Sequence, residues 1–151
     1  MKKSFSIPFI LTTLIFSILT LNSCGRTQDT VNCFPSSPIN VTLNLNLPAY
    51  YDLNNTGGWI YINEQQSGTR GLIAVRNGSS FKIYDRNAPH LCPDTNTTLE
   101  VKDDIYILCP KDNTKWVLLT GSPTDGAATG LPPKTYTYNY DASSNILNIY
   151  Y

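Results

Sequence analysis

The feature that most constrains the fold of this 151-residue chain is a succession of short apolar runs separated by turn residues, without helical periodicity beyond the N-terminal segment. From Asn40 to Pro48 valine and leucine alternate with polar residues, which is the pattern of a half-buried strand. Trp59–Ile62 and the two runs that flank Asn77 and Gly78 are rich in β-branched and aromatic residues. The Asn-Gly pair predicts a hairpin with a type I′ turn. We therefore predict about eight or nine short strands in an all-β domain, folded as a small antiparallel sandwich or barrel.

The N-terminal segment has the organisation of an export signal. Residues 1–3 are basic, and residues 5–21 are apolar but interrupted, whereas a stable membrane span needs about 20 predominantly apolar residues. The sequence Leu-Asn-Ser-Cys that ends at Cys24 resembles the lipobox of bacterial lipoproteins, which implies that this cysteine becomes the first mature residue and carries lipid. Gly25 follows this cysteine, and the absence of an aspartate at that position resembles lipoproteins that are sorted to the outer membrane. An ordinary signal peptide or an uncleaved anchor is the alternative.

These features divide the chain into three parts. We predict a lipoprotein signal peptide at residues 1–23, a lipidated flexible tether at residues 24–39 and one β domain at residues 40–151. Removal of the signal leaves nine Lys and Arg residues against eleven Asp and Glu residues, a balance that offers no attraction to nucleic acid. Export places the cysteines in an oxidising compartment, where paired thiols become disulfides.

Two loops carry most of the residues that could bind a metal. The first, residues 85–93, contains His90 and Cys92, and the second, residues 109–123, begins with Cys109 and contains Asp112. A short predicted hairpin separates the two loops. Two loops one hairpin apart, each with nitrogen, sulfur or oxygen ligands, are typical of a clamp-type metal site.

The loops and the segments around them resemble a Rieske domain, a family that binds a [2Fe-2S] cluster. The resemblance rests on Tyr-Asp-Arg before the first loop and on Thr-Gly-Ser-Pro and Gly-Ala-Ala-Thr-Gly-Leu-Pro-Pro after the second, and it spans residues 40–151. It implies a Rieske-type β fold. In the family the ligands follow the pattern Cys-x-His and then Cys-x-x-His, and these four positions fall on Ala88, His90, Cys109 and Asp112.

This ligand set is incomplete. A Rieske cluster needs two thiolates on one iron and two imidazoles on the other, whereas the chain contains one histidine and has Ala88 and Asp112 in place of a cysteine and a histidine. We therefore expect a degenerate member of the family that holds no cofactor. The alternative is an electron-transfer protein whose [2Fe-2S] cluster has substitute ligands, namely His90, Cys109, Asp112 and Cys92 or Cys33.

The resemblance also implies a pairing of the cysteines. Many Rieske proteins join their two loops by a disulfide between an extra cysteine in each loop, which implies a Cys92–Cys109 bond here and leaves Cys33 as the odd cysteine of the tether. The alternative is a single zinc or copper ion bound by His90, Cys92, Cys109 and Asp112, because these metals accept mixed nitrogen, sulfur and oxygen ligands.

The sequence shows no catalytic constellation. No Ser-His-Asp set, carboxylate pair or phosphate-binding loop stands out, and Trp59 and Trp116 are explained as core anchors. We interpret the chain as a lipid-anchored protein of the cell envelope, with the outer membrane favoured, whose domain is a non-catalytic binding or structural module. Its expected partners are the membrane, through the N-terminal lipid, and an envelope protein or small molecule that the sequence does not identify.

Overall fold

The computed structural model describes residues 30–151, and this part of the chain is built from nine strands and one 3-10 helix. In chain order they are β1 (Asn40–Asn44), the 3-10 helix (Pro48–Asn54), β2 (Trp59–Ile62), β3 (Leu72–Asn77), β4 (Ser80–Asp85), β5 (Glu100–Lys102), β6 (Tyr106–Leu108), β7 (Lys115–Val117), β8 (Thr137–Asp141) and β9 (Ile146–Tyr150). They form three antiparallel sheets of three strands each, in the orders β1-β9-β8, β2-β3-β4 and β5-β6-β7. The predicted all-β antiparallel class is confirmed.

The first two sheets share the larger of two apolar clusters. Along β1 the predicted alternation is confirmed, because Val41 and Leu43 are buried while their polar neighbours are exposed. The alternation ends at Leu47, whose side chain is 50% exposed because the chain turns there into the 3-10 helix. That helix covers one side of the cluster and contributes Leu53 to it, a side chain that is fully buried.

The third sheet packs on the other face of β3 and forms the second cluster. Leu72 and Ala74 of β3 lie in the first cluster, whereas Ile73 and Val75 lie in the second, and all four side chains are fully buried. A strand that is covered on both faces has a continuous apolar sequence rather than an alternating one. The sequence Leu-Ile-Ala-Val is therefore the consequence of a central position between two layers, and it fixes where the third sheet and its loops are held.

The hairpin between β3 and β4 is confirmed, but its turn is one residue later than predicted. Asn77 pairs with Ser80, so the two central residues are Gly78 and Ser79. Gly78 has a φ of 60°, and it is the one residue of this turn with a positive φ. A positive φ at the first central position alone defines a type II′ turn, so the predicted type I′ turn centred on Asn77 and Gly78 is wrong.

The last residues of the predicted tether are attached to the domain. The N–H of Val31 donates to the carbonyl of Pro89 at 3.0 Å, and the ammonium group of Lys134 lies 5.2 Å from the ring centroid of Phe34. Ile39 is 2% exposed and belongs to the first apolar cluster. The predicted signal peptide, the lipid site at Cys24 and the start of the tether lie outside the described residues. Within residues 30–151, no helix is long and apolar enough to cross a membrane.

Candidate metal centre

The loop after β6 folds into a tight turn that places Cys109 and Asp112 on one side. The N–H of Asn113 donates to the carbonyl of Cys109 at 2.9 Å, and the N–H of Cys109 donates to the carbonyl of Thr114 at the same distance. Asn113 has a φ of 61°, a conformation that asparagine adopts more readily than most residues. The sequence Pro-Lys-Asp-Asn after Cys109 therefore specifies the turn that carries two of the residues of the site.

The loop after β4 brings His90 against this turn. Its Nε2 lies 2.6 Å from Oδ2 of Asp112, and the imidazole side chain is 9% exposed. The imidazole ring meets the ring of Trp116 edge-on, with centroids 5.7 Å apart. The other ring nitrogen, Nδ1, is buried and has no hydrogen-bond partner among the described residues. His90 is thus oriented by the carboxylate of Asp112 and the ring of Trp116, and its Nδ1 has no hydrogen-bond partner among the described residues.

Asp112 is held as a carboxylate. Its Oδ1 accepts the N–H of Thr114 at 3.1 Å, and its Oδ2 accepts the Thr114 hydroxyl at 2.9 Å in addition to the bond with His90. Burial raises the pKa of this carboxyl group, but the hydrogen bonds from His90 and Thr114 together outweigh burial and lower the pKa to about 2. Thr114 was not singled out in the sequence, although Asp-x-Thr in a turn is the spacing of an Asx-type motif.

Cys109 carries the remaining thiol of the described residues, and it is fully buried. Burial is the main cause that raises the pKa of this thiol, and its hydrogen bond to Asp112 acts in the same direction. The backbone amides of Lys111 and Asp112 donate to the sulfur and oppose this shift. A raised pKa means that this thiol is protonated at neutral pH and is a weaker nucleophile than a free cysteine.

The predicted Cys92–Cys109 disulfide is wrong, because Cys92 is bonded to Cys33 with the Cα atoms 5.4 Å apart. The side chain of Cys109 belongs to the buried cluster that contains Ala88 and Trp116, whereas Cys92 is exposed on the surface of the first loop. The two cysteines therefore face different environments although both stand in the loops. Cys33 reaches Cys92 because the N-terminal segment runs along the first loop, as the Val31 hydrogen bond shows.

Three of the four predicted metal ligands come together. One ring nitrogen of His90, Sγ of Cys109 and a carboxylate oxygen of Asp112 all lie within 4.8 Å of one another. Cys92, the fourth, is excluded by its disulfide. The two loops thus form the predicted clamp with a nitrogen, a sulfur and an oxygen ligand, and we call these three residues the tip triad.

The tip triad does not fit a [2Fe-2S] cluster. Such a cluster needs four protein ligands, and Ala88, which stands at one of the ligand positions of the Rieske pattern, is 1% exposed and packs in the apolar cluster. Cys92 and Cys33 are joined to each other, and the chain has no second histidine. The described residues therefore offer three ligands for one ion and not a set for two irons.

Comparison with known proteins gives no family assignment. No family model and no curated protein matches the chain. A ferredoxin of carbazole 1,9a-dioxygenase from Nocardioides aromaticivorans IC177 is 17% identical over 76% of this chain and 97% of the ferredoxin, with a TM-score of 0.42. A chain from the complex of reduced oxygenase and oxidized ferredoxin in carbazole 1,9a-dioxygenase is 15% identical over 77% and 94% of the respective chains, with a TM-score of 0.44. TM-scores in this range do not establish a shared fold, so the Rieske resemblance stays a prediction.

Proposed function

We propose that this chain is a lipid-anchored envelope protein that binds one zinc ion through His90, Cys109 and Asp112. The observation that supports the proposal is that three ligand atoms of three different kinds lie within 4.8 Å of one another at the meeting point of two loops. A disulfide at Cys109 would have removed its thiolate from such a site, but that cysteine is free. Zinc accepts nitrogen, sulfur and oxygen ligands together and imposes little geometric preference of its own.

The triad needs only a small contraction to hold the ion. Zinc binds sulfur at about 2.3 Å and nitrogen or oxygen at about 2.0–2.2 Å, which places tetrahedral ligand atoms roughly 3.3–3.6 Å apart. The three ligand atoms lie within 4.8 Å of one another, so side-chain movements of about 1 Å are sufficient. Insertion of the ion would separate His90 from Asp112 slightly, since their contact is 2.6 Å.

Neighbouring groups hold the side chains of the tip triad in orientations that are suitable for binding a metal. The Thr114 hydroxyl and N–H hold the carboxylate of Asp112, and the amides of Lys111 and Asp112 point at the sulfur of Cys109, where they would stabilise a thiolate. Such outer contacts fix the orientation of metal ligands and strengthen binding by about 10–100-fold. Three protein ligands leave one coordination position for water or a small ligand. We propose that this site serves in binding.

Titration of the purified, detergent-solubilised protein with Co²⁺ tests the zinc site. We expect one Co²⁺ per chain, a thiolate-to-cobalt charge-transfer absorption, and displacement of the cobalt by Zn²⁺. The Cys33–Cys92 disulfide must stay intact in the sample, because its reduction would add competing thiols. The absence of any cobalt–thiolate absorption would disprove the proposal, and iron with acid-labile sulfide would show a [2Fe-2S] protein instead.

The envelope location is proposed from Cys24 and tested separately. Changing Cys24 to Ala should release the protein from the membrane fraction, because lipid attached to this cysteine is the proposed anchor. A Cys24→Ala protein that stays membrane-bound and uncleaved would show that the N-terminal segment itself is the anchor. If Cys24 is lipidated, Cys33 follows it by nine residues, which span at most about 30 Å. The disulfide would then keep the loop tips within that distance of the bilayer.

A further inference from the structure

The open edge of β2 is a surface that neither the core nor the tip triad uses. β2 is an outer strand of its sheet and pairs with β3 on one side only. Along its other side runs a groove of about 660 Å³ between the strand, the 3-10 helix and the turn that joins β5 to β6. Trp59, Ile60 and Tyr61 of the strand line this groove, together with Asp52 of the 3-10 helix and Asp104 of the turn.

The register of the sheet directs unpaired backbone groups into the groove. The N–H of Arg76 in β3 donates to the carbonyl of Gly58 at 2.9 Å, so Gly58 faces β3. In antiparallel pairing the direction of the backbone groups alternates from residue to residue, and Trp59 and Tyr61 therefore face away from β3. Within residues 30–151, no backbone N–H or carbonyl of Trp59 or Tyr61 is bonded on that side. Two donors and two acceptors are available at the spacing of a β ladder.

The charge of the groove selects the kind of partner. Two carboxylates line the groove, from Asp52 and Asp104, and no Lys or Arg side chain does. Oδ1 of Asp104 accepts the indole N–H of Trp59 at 2.9 Å, which fixes this carboxylate beside the strand edge. Arg86 does not line the groove itself: its guanidinium lies 4.1 Å from the ring centroid of Tyr61, and its Nε donates to the carbonyl of Leu99. A bound segment would therefore meet negative charge from the 3-10 helix and from the turn between β5 and β6.

We propose that an extended, basic segment of another protein binds in this groove as an added strand next to β2. Its backbone would pair with Trp59 and Tyr61, and its Lys or Arg side chains would reach Asp52 and Asp104. An exposed strand edge is a template for such pairing, and added strands obtain their affinity from main-chain hydrogen bonds and their specificity from side-chain contacts. This surface is separate from the tip triad, so the proposal does not depend on metal binding.

Nuclear magnetic resonance of the amides of Trp59 and Tyr61 in the whole protein tests the pairing. The probe is the capped peptide Ac-Lys-Val-Lys-Val-Lys-NH₂, which should shift both signals and slow their hydrogen exchange. Two analogues sharpen the test, one N-methylated at the lysines and one at the valines. Only alternate residues of an added strand face β2, so one analogue should bind like the parent and the other at least about tenfold more weakly.

Two matched variants test whether the negative charge of the groove contributes to binding. Asp103 and Asp104 are neighbours in one turn, both with a positive φ that asparagine tolerates, but only Asp104 lines the groove. Asp104→Asn should lower the affinity for the peptide about twofold to fivefold, and Asp103→Asn should leave this affinity unchanged. The proposal is overturned if both N-methylated peptides bind like the parent or if Ac-Glu-Val-Glu-Val-Glu-NH₂ binds equally well. It is also overturned if both amides are already protected in a dimer of the free protein, since a second copy then occupies the edge.

Discussion

Replacing Cys33 with serine is expected to lower the free energy of unfolding by about 4 kcal/mol. The disulfide joins residues that are 59 positions apart in the sequence, and in the chain-entropy account a closed loop of that length restricts the unfolded chain by roughly this amount. The measurement is urea unfolding of wild type and variant, each with and without a thiol reductant. Reductant should destabilise the wild type to the level of Cys33→Ser and should not affect the variant further.

Cys92→Ser is the matched control, and it should lose as much stability as Cys33→Ser, with the double variant no less stable than either. These outcomes also separate the observed pairing from the one that the sequence implied. With a Cys92–Cys109 bond, Cys33→Ser would be neutral and would leave the sensitivity to reductant intact. A neutral Cys33→Ser variant would therefore contradict the pairing in the structure.

Substitution of any member of the tip triad is expected to weaken cobalt and zinc binding by at least about 100-fold. Outer-sphere contacts alone contribute about 10–100-fold in other metal sites, and the loss of a direct ligand should cost more. The series is His90→Gln, Cys109→Ser and Asp112→Asn, measured by competition with a metal indicator. Circular dichroism and thermal unfolding without metal should show that each variant is folded, with Asp112→Asn the closest in shape to the wild type.

Asp94→Asn is the control for this series. Asp94 directly follows the first loop and its carboxylate is 3.1 Å from the ammonium group of Lys111, yet it is not part of the triad. Its substitution should leave the affinity for metal unchanged, since a partly exposed ion pair contributes little. Equal affinity in wild type and in all three triad variants would place the metal elsewhere and contradict the site. An effect of Asp94→Asn as large as that of Asp112→Asn would show a general charge effect instead.

Local patterns predicted the strands well because each depends on neighbouring residues. The alternation from Asn40 specifies which side chains of β1 face the core, and the aromatic and β-branched run at Trp59–Ile62 forms β2 as expected. The hairpin after Leu72 was predicted from its turn residues, although the turn begins at Gly78 and not at Asn77. An Asn-Gly pair is compatible with both primed turns, and the pairing of the flanking strands decides between them.

The sequence by itself determined the all-β class, the two loops and three of the residues that meet at their tips, because the single histidine, the scarce cysteines and the turn residues limit the possibilities. Only the tertiary structure decided which sulfur atoms form the disulfide and which one is free to bind a metal. Cys109 and Cys92 stand in loops that meet, but Cys109 is buried in the apolar cluster that contains Trp116. Cys92 is exposed at the surface, where the N-terminal segment brings Cys33. Disulfide pairing depends on the distance and direction of side chains that are far apart in the chain, and no local pattern encodes these.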